Sequence, residues 1–169
     1  MNIRLFGLAD DSIVDGPGLR FAVFTQGCYH NCEGCHNPNS HDVNGGYDED
    51  TDTIIEKIKS NPLLDGVTLS GGEPFLQAKP LTLIADAAKD AGLNVMAYTG
   101  YTFEELLKGA NSDNGWLELL TKLDLLVDGK FVLAQRSIEL NFKGSKNQRI
   151  LNVPESLKEG TAVLSEIDK

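Results

Sequence analysis

Residues 66–98 carry the pattern that decides the fold: GVTLSGGEPFLQAKPLTLIADAAKDAGLNVMAY. Two short apolar runs, at 66–70 and 94–98, have the length and composition of buried strands. Between them, residues 80–91 show an apolar stripe at helical spacing, with proline near the first turn and Gly92 as a stop signal. A strand, a helix and a second strand in this order predict two parallel strands joined by a right-handed crossover.

The same alternation extends on both sides of this unit. Further strands are predicted at residues 19–25, 124–127 and 148–151, and helices at 53–59 and over 102–122 with a break near 109–114. Capping-box patterns open the two helices, Thr53 with Glu56 and Thr102 with Glu105. This pattern predicts an α/β fold around a parallel sheet, either open and doubly wound or a partial barrel. About five βα units are too few for a closed eight-stranded barrel.

Length, charge and composition bound the class of protein. The chain has 169 residues, which predicts one domain over residues 1–169. Lys and Arg number 15 against 25 Asp and Glu, and the net charge of −10 argues against non-specific binding to nucleic acid or to an anionic membrane. No apolar run has membrane-spanning length, and we expect no signal peptide. Three cysteines cannot all pair within one chain, so we expect reduced thiols and a cytoplasmic location.

The cysteines Cys28, Cys32 and Cys35 form a C-x3-C-x2-C pattern. Three thiolates leave one coordination position open for a ligand that arrives later, whereas a closed structural site needs four protein ligands. The spacing favours a [4Fe–4S] cluster with one open iron. A structural zinc site is the first alternative, and a redox-sensing cysteine pair is the second. Three histidines could complete a zinc site: His30, His36 and His41.

The loop after residues 66–70 is a second distinctive segment. Gly71 and Gly72 let a ligand approach the backbone, and Glu73 supplies a carboxylate that can accept hydrogen bonds from an ammonium group. An amino acid such as methionine could chelate the open iron while this loop holds its amine. The carboxyl ends of parallel strands meet at one rim, so we expect this loop, the cysteine loop and residues 99–101 and 128–130 to converge.

Together, the cysteine pattern and the GGEP loop resemble the radical S-adenosylmethionine (SAM) superfamily. Three segments are similar to the glycyl-radical-enzyme activases: VDGPGLR (14–20), FTQGCYHNCEGCHNP (24–38) and SGGEP (70–74). Three more resemble the activating proteins of anaerobic (class III) ribonucleotide reductase: YTGY (98–101), VDGKF (127–131) and GSKNQR (144–149). The resemblance covers most of residues 12–152.

This resemblance implies a fold, a reaction and partners. The fold is an incomplete βα barrel of the radical SAM type, with about five to six parallel strands. One [4Fe–4S] cluster per chain binds SAM at its fourth iron, and an electron from the cluster cleaves SAM to methionine and a 5′-deoxyadenosyl radical. That radical removes a hydrogen atom from a glycine in the glycyl radical domain of the large subunit of anaerobic ribonucleotide reductase. A flavodoxin or a ferredoxin donates the electron, and neither nucleic acid nor membrane takes part.

The resemblance also assigns residues to the cluster and to SAM, and it implies no catalytic group beyond these two. The cluster ligands are Cys28, Cys32 and Cys35. Backbone contacts to the adenine come from Gly34, Cys35 and His36. The methionine amine is bound by Gly71, Gly72 and Glu73. The residues expected near SAM in an Asp-x-Lys pattern are Asp128 and Lys130.

Two other functions stay open from the sequence alone. A pyruvate formate-lyase-type activase shares the radical SAM motifs, although such chains are usually longer. A zinc-binding or redox-sensing module would use the same three cysteines without SAM.

Overall fold

Strands alternate with helices along most of the chain in the computed structural model, which describes residues 1–35 and 38–168. The strands are β1 (Asn2–Ser12), β2 (Arg20–Thr25), β3 (Tyr47–Asp50), β4 (Gly66–Gly71), β5 (Asn94–Tyr98), β6 (Leu125–Asp128) and β7 (Arg149–Asn152). The helices are α1 (Thr51–Lys59), α2 (Ala78–Asp90), α3 (Phe103–Gly109), α4 (Trp116–Leu120) and α5 (Val153–Glu159). Within the described ranges, no helix is both long enough and apolar enough to span a membrane.

All seven strands join one sheet, in the spatial order β3-β1-β2-β4-β5-β6-β7. The centre is parallel, since β2, β4, β5 and β6 pair in that sense, and the predicted α/β class is confirmed. Both edges are antiparallel: β1 pairs with β2 and β3, and β7 pairs with β6. Four strands are therefore parallel instead of the expected five to six. The chain enters β7 from a loop without a crossover α-helix, so β7 runs back along β6.

Three elements were not predicted from the sequence: β1, β3 and α5. β3 has the sequence YDED at the edge of the sheet, where backbone pairing does not require an apolar pattern. β1 alternates between exposed and buried residues only near its start, and its register with β2 shifts at two places. α5 does carry sequence signals, because the Asn152 side chain caps it and Gly160 ends it in the left-handed conformation.

The two predicted capping boxes have different outcomes. The box of Thr102 and Glu105 is confirmed at the start of α3, with both reciprocal hydrogen bonds formed. The box of Thr53 and Glu56 is wrong, because α1 begins two residues earlier. There the Asp50 side chain accepts a hydrogen bond from the Asp52 backbone N–H at 2.8 Å. An aspartate at the N-cap satisfies a free amide as well as threonine does, so the chain takes the earlier start.

The two faces of the sheet have different surroundings. The main hydrophobic core joins one set of strand residues to the helices, and it includes Val95, Ala97 and Leu126. Strand side chains alternate in direction, and the neighbouring Met96 and Val127 belong to a smaller cluster with Ile150. The first face is therefore the helix-covered face. The second face leads to the site described next.

Candidate cluster and cofactor site

A cavity of about 610 Å³ lies at the carboxyl ends of the parallel strands. Its walls include all three cysteines, from the loop after β2, and both glycines of the GGEP segment, at the end of β4 and just beyond it. Tyr98, Thr99 and Gly100 line it from the end of β5, and Gly129 lines it from the end of β6. Four loops that are far apart in sequence thus meet at one rim, as parallel strand order requires.

Backbone hydrogen bonds hold the cysteine loop against the segment that follows it. The Gly27 N–H donates to Ser40 O at 2.6 Å, and the Cys28 N–H donates to His41 O at 3.0 Å. The His41 side chain reaches back to the same loop, with its Nε2 atom 3.3 Å from Cys35 Sγ. The start of the loop is therefore anchored by backbone at the first cysteine and at the residue before it, and His41 lies beside a thiol.

The three thiols are free and half-buried. Burial raises the pKa of the Cys28 and Cys32 thiols above their usual range. Hydrogen bonds from backbone amides oppose this effect and lower the thiol pKa. The amides of His30 and Asn31 act on Cys28, and the amide of Phe131 acts on Cys32. Metal binding requires thiolates, so loading the site releases protons, and these amides stabilise the sulfur charge once it forms.

The thiol arrangement suits a cluster. Among residues 1–35 and 38–168, no group of three or more His, Cys, Asp or Glu side chains could hold a single metal ion. A [4Fe–4S] cluster offers a separate iron to each thiolate, so three thiols that line one cavity fit it without meeting at one point. The hydrogen bonds from backbone amides to the thiols are also the kind that tune cluster potentials.

The glycines of the GGEP loop allow two segments of backbone to lie in contact. Gly71 has φ of +106°, and a Cβ atom there would lie 2.1 Å from the Thr25 backbone nitrogen. A Cβ atom on Gly72 would lie 2.3 Å from Gly27 O. The Glu73 N–H donates to that same Gly27 oxygen at 2.7 Å. The loop after β4 is thus packed directly on the start of the cysteine loop, and only glycine fits there.

The Glu73 carboxylate is 1% exposed and is surrounded by protein donors. Its Oε1 atom accepts from His30 Nε2 at 2.6 Å and from the Gly100 N–H at 2.8 Å. Its Oε2 atom accepts from the Phe75 N–H at 2.9 Å, and the Thr99 hydroxyl contacts both oxygens. Glu73 was assigned to the methionine amine from sequence. Here it lies behind the two glycines and joins loops to one another.

Asp128 and Lys130 do not line the cavity, although their neighbours Gly129 and Phe131 do. Asp128 is 1% exposed, accepts from the Phe103 N–H at 2.8 Å and pairs with the Arg149 guanidinium. The pKa of Arg149 is raised because it donates hydrogen bonds to Asp128 and to Glu104. Lys130 is exposed. Its charge nevertheless acts on the cysteine loop, where it lowers the pKa of Cys32.

The residues assigned to the adenine are only partly described. Gly34 is exposed, and Cys35 lies in the cavity wall. His36 lies outside the described residues.

The VDGPGLR segment brings a carboxylate to the cavity. Arg20 is 1% exposed and donates to Thr68 Oγ1 at 2.7 Å, to Pro17 O at 2.9 Å and to Asn94 Oδ1 at 2.8 Å. Burial lowers the pKa of Arg20. The Thr68 hydroxyl in turn donates to the backbone oxygen of Asp15 at 2.6 Å, and Asp15 lines the cavity. Arg20 therefore anchors this loop to β4 and β5.

Several cavity residues were not assigned to the site from the sequence. Tyr98 shares the Met96 face of β5, so strand alternation was a usable signal for it. Lys143 lines the cavity with a side chain that is 6% exposed, and its Nζ atom lies 3.0 Å from Asp168. No local pattern predicts that contact, because the two residues meet only through the folded C-terminal segment.

Comparison with known proteins identifies the family. A family model described as a 4Fe-4S single cluster domain matches residues 14–151. The chain is similar to an anaerobic ribonucleoside-triphosphate reductase-activating protein of Vibrio cholerae, with 35% identity over 82% of this chain and 90% of the relative. The protein of that name from Escherichia coli K12 is 34% identical over 80% of this chain and 90% of its own length. A pyruvate formate-lyase-activating enzyme of Clostridium pasteurianum is 37% identical over 62% of this chain and 48% of the relative.

The matched segment contains the three cysteines, the glycine loop and all four parallel strands. The relatives with the reductase-activating name align over most of their own length, whereas the pyruvate formate-lyase-activating enzyme aligns over about half of its length. This chain matches a 4Fe-4S single cluster domain over residues 14–151. It belongs to the family of anaerobic ribonucleoside-triphosphate reductase-activating proteins.

Proposed function

We propose that this chain is a radical SAM activase that generates a glycyl radical on anaerobic ribonucleotide reductase. The observation that carries the proposal is the shared cavity, in which three free thiols face two glycines at the carboxyl ends of parallel strands. The names of the relatives support the choice of reductase as target. The finer fold that we propose is a single radical SAM domain over residues 1–169, built as an incomplete βα barrel.

In this proposal Cys28, Cys32 and Cys35 hold one [4Fe–4S] cluster through three of its irons. When bound, the cluster and SAM supply a reductive cleavage of SAM that yields a hydrogen-abstracting radical. The role of the polypeptide is to hold the reactants in place. Backbone amides on the cysteine loop stabilise the thiolates, and half-burial of the thiols limits access of water.

The glycine loop is the proposed seat of the SAM methionine group. Gly71 and Gly72 line the cavity and expose backbone there. The contacts of Glu73 support a role in fixing this loop. The carboxylate would then affect binding of the SAM amine indirectly, by holding the glycine loop in position. The adenine contacts proposed for Gly34, Cys35 and His36 would come from the cysteine loop.

We assign Asp128 and Lys130 different places in the proposal. The contacts of Asp128 with Arg149 and α3 support a structural role, in which it holds the frame beside the SAM region. Lys130 is exposed near the cysteine loop, where its charge would act on the cluster or on SAM from the rim.

The partners follow from the same chemistry. The substrate is the glycyl radical domain of the reductase large subunit, and the electron donor is a flavodoxin or a ferredoxin. We propose a cytoplasmic site of action without nucleic acid or membrane, in keeping with the net charge of −10.

Anaerobic reconstitution tests this proposal. The purified protein is incubated with iron and sulfide, reduced, and mixed with SAM. We expect about four irons and four sulfides per chain, together with formation of 5′-deoxyadenosine and methionine. A colourless protein that takes up one zinc ion and leaves SAM intact would replace this function with a zinc-binding module.

A second candidate target is pyruvate formate-lyase, because an activating enzyme of that name aligns with 62% of this chain. The same reconstituted protein can be offered each target protein in turn. A glycyl radical on pyruvate formate-lyase alone would move the chain to that activity.

A further inference from the structure

His30 lies between Cys28 and Cys32, yet its side chain turns away from solvent. The imidazole is 9% exposed, whereas the neighbouring Tyr29 is 73% exposed. The His30 Nε2 atom lies 2.6 Å from Glu73 Oε1. A carboxylate only accepts hydrogen bonds, so Nε2 is the donor. We call this contact the His30–Glu73 bridge.

The backbone of His30 is linked to the cluster site as well. Its amide acts on the Cys28 thiol as a hydrogen-bond donor. One residue therefore contacts a proposed cluster ligand through its backbone and the loop after β4 through its side chain. A shift of His30 would move both ends together.

Glu73 passes this link to a third loop. The carboxylate that receives the bridge also accepts from the Gly100 N–H at 2.8 Å and from the Thr99 hydroxyl. The imidazole packs on the same loop, because a Cβ atom at Gly100 would lie 2.4 Å from His30 Cδ2. The loops after β2, β4 and β5 thus share one buried set of contacts.

Aromatic packing closes this set into a ring. His30 and Tyr101 meet edge to face with centroids 4.6 Å apart, and Tyr101 packs on Trp116 at 4.9 Å. The Trp116 Nε1–H donates to Phe75 O at 2.8 Å, two residues beyond Glu73. Tyr101 and Trp116 therefore pack behind the bridge on its helix side, and this packing favours one fixed position for the imidazole.

We propose that His30 is a positioning residue that sets the distance between the cysteine loop and the glycine loop through the His30–Glu73 bridge. The inference rests on the proposed function, since it concerns how the chain aligns its cluster with SAM. It predicts that loss of the bridge loosens the glycine loop even in the metal-free protein. It also predicts weaker SAM binding at unchanged cluster content.

Hydrogen exchange of the reduced, metal-free protein tests the structural half. The variants are His30→Ala, which removes the bridge, His30→Gln, whose amide nitrogen can replace Nε2, and Tyr29→Ala as the matched control on the same loop. We expect exchange at the Gly100 and Glu73 amides to rise about tenfold or more in His30→Ala, the range for a lost hydrogen bond to a charged group. His30→Gln should recover most of the protection, and Tyr29→Ala should leave it unchanged.

SAM titration of the reconstituted proteins tests the functional half. We expect the dissociation constant for SAM to rise about tenfold in His30→Ala, at the wild-type iron count, and to return toward the wild-type value in His30→Gln. Unchanged exchange at Gly100 and unchanged SAM affinity in His30→Ala would overturn the inference.

The two proposals fail in distinguishable ways. If the wild-type protein takes up no cluster, the proposed function fails whatever the exchange data show. If wild-type SAM binding is normal and His30→Ala matches it, only the role of His30 fails. If His30→Ala does not fold, His30→Leu, which keeps apolar bulk but cannot donate to Glu73, carries the same exchange test.

Discussion

Two buried carboxylates occupy the rim of the sheet, and they differ in what they hold. Glu73 and Asp128 are each 1% exposed, and each follows or ends a parallel strand. Glu73 is surrounded by donors from the loops that line the cavity. Asp128 instead joins β6 to α3 and to Arg149. The first carboxylate organises the site, and the second one organises the frame around it.

The direction of each side chain explains the difference. Val127 belongs to the cluster on the cavity face, and its neighbours Leu126 and Asp128 point to the helix-covered face by strand alternation. Asp128 therefore meets the backbone of Phe103 at the start of α3. Glu73 lies beyond the end of β4, so alternation does not set its direction. A residue at the active rim of a parallel sheet can still face away from the site.

Replacing a cysteine should have the largest effect on function. It should affect the cavity site that Glu73 helps to organise and leave the frame around Asp128 intact. In Cys28→Ala, Cys32→Ala or Cys35→Ala, we expect stable cluster binding and SAM cleavage to be lost. The free energy of unfolding of the metal-free protein should change by less than about 1 kcal/mol, because the thiols are only half-buried. Iron analysis and urea denaturation measure the two quantities. A variant that keeps both its cluster and SAM cleavage would contradict the ligand assignment.

Asp128→Ala should have the next largest effect, on stability. Arg149 would lose its buried partner and the Phe103 amide would lose its acceptor, so we expect the free energy of unfolding to fall by about 2–3 kcal/mol. Urea denaturation of the metal-free protein measures this. Glu104→Ala is the matched control, since it removes the exposed carboxylate from the same arginine and should change stability by about 0–1 kcal/mol.

SAM binding by the Asp128→Ala variant distinguishes the roles of the two carboxylates. We expect its folded fraction to bind SAM with nearly the wild-type affinity. Wild-type stability combined with lost SAM binding would instead place Asp128 in the cofactor site and make the two carboxylates equivalent.

Glu73→Gln should shift SAM binding by a smaller free energy. The amide keeps the size of the side chain but brings an N–H₂ group against donors that now face a carboxylate. We expect the dissociation constant for SAM to rise about tenfold, which is about 1.4 kcal/mol, with the iron content unchanged. Calorimetric titration of the reconstituted protein measures it, with Glu105→Gln at the start of α3 as a control. Equal SAM affinity in Glu73→Gln and wild type would remove Glu73 from the site.

Lys130→Ala should have the smallest effect on the fold. The side chain is exposed, so the free energy of unfolding should change by less than about 0.5 kcal/mol. Its proposed role at the rim predicts a measurable loss of SAM affinity all the same. Thermal denaturation and SAM titration separate the two effects, and wild-type SAM affinity would return Lys130 to an ordinary surface position.

The sequence predicted the centre of the molecule better than its edges. The strand–helix–strand unit around α2 and the meeting of loops at one rim follow from apolar runs and parallel order. The edge strand β3 has no apolar pattern to read. Strand alternation also held enough information to direct Asp128 away from the cavity.

The contacts of Glu73 mark the limit of prediction within the site. His30 and Glu73 are 43 residues apart, and the bridge depends on how two loops pack after folding. The motifs identified the loops that would meet but not which donors would occupy the carboxylate. The donor is His30 of the cysteine loop, and it reaches Glu73 only because the two loops pack together in the folded chain. The C-x3-C-x2-C pattern itself contains no signal for this contact.

Electron paramagnetic resonance tests whether this protein generates a glycyl radical, in a mixture of the reconstituted protein, SAM, a reductant and the large subunit of anaerobic ribonucleotide reductase. We predict a glycyl radical signal on the reductase that requires SAM and is absent with Cys32→Ala. Pyruvate formate-lyase, used in place of the reductase, should give little or no glycyl radical signal. A fully loaded cluster that cleaves SAM yet leaves the reductase without a radical would contradict the proposed function.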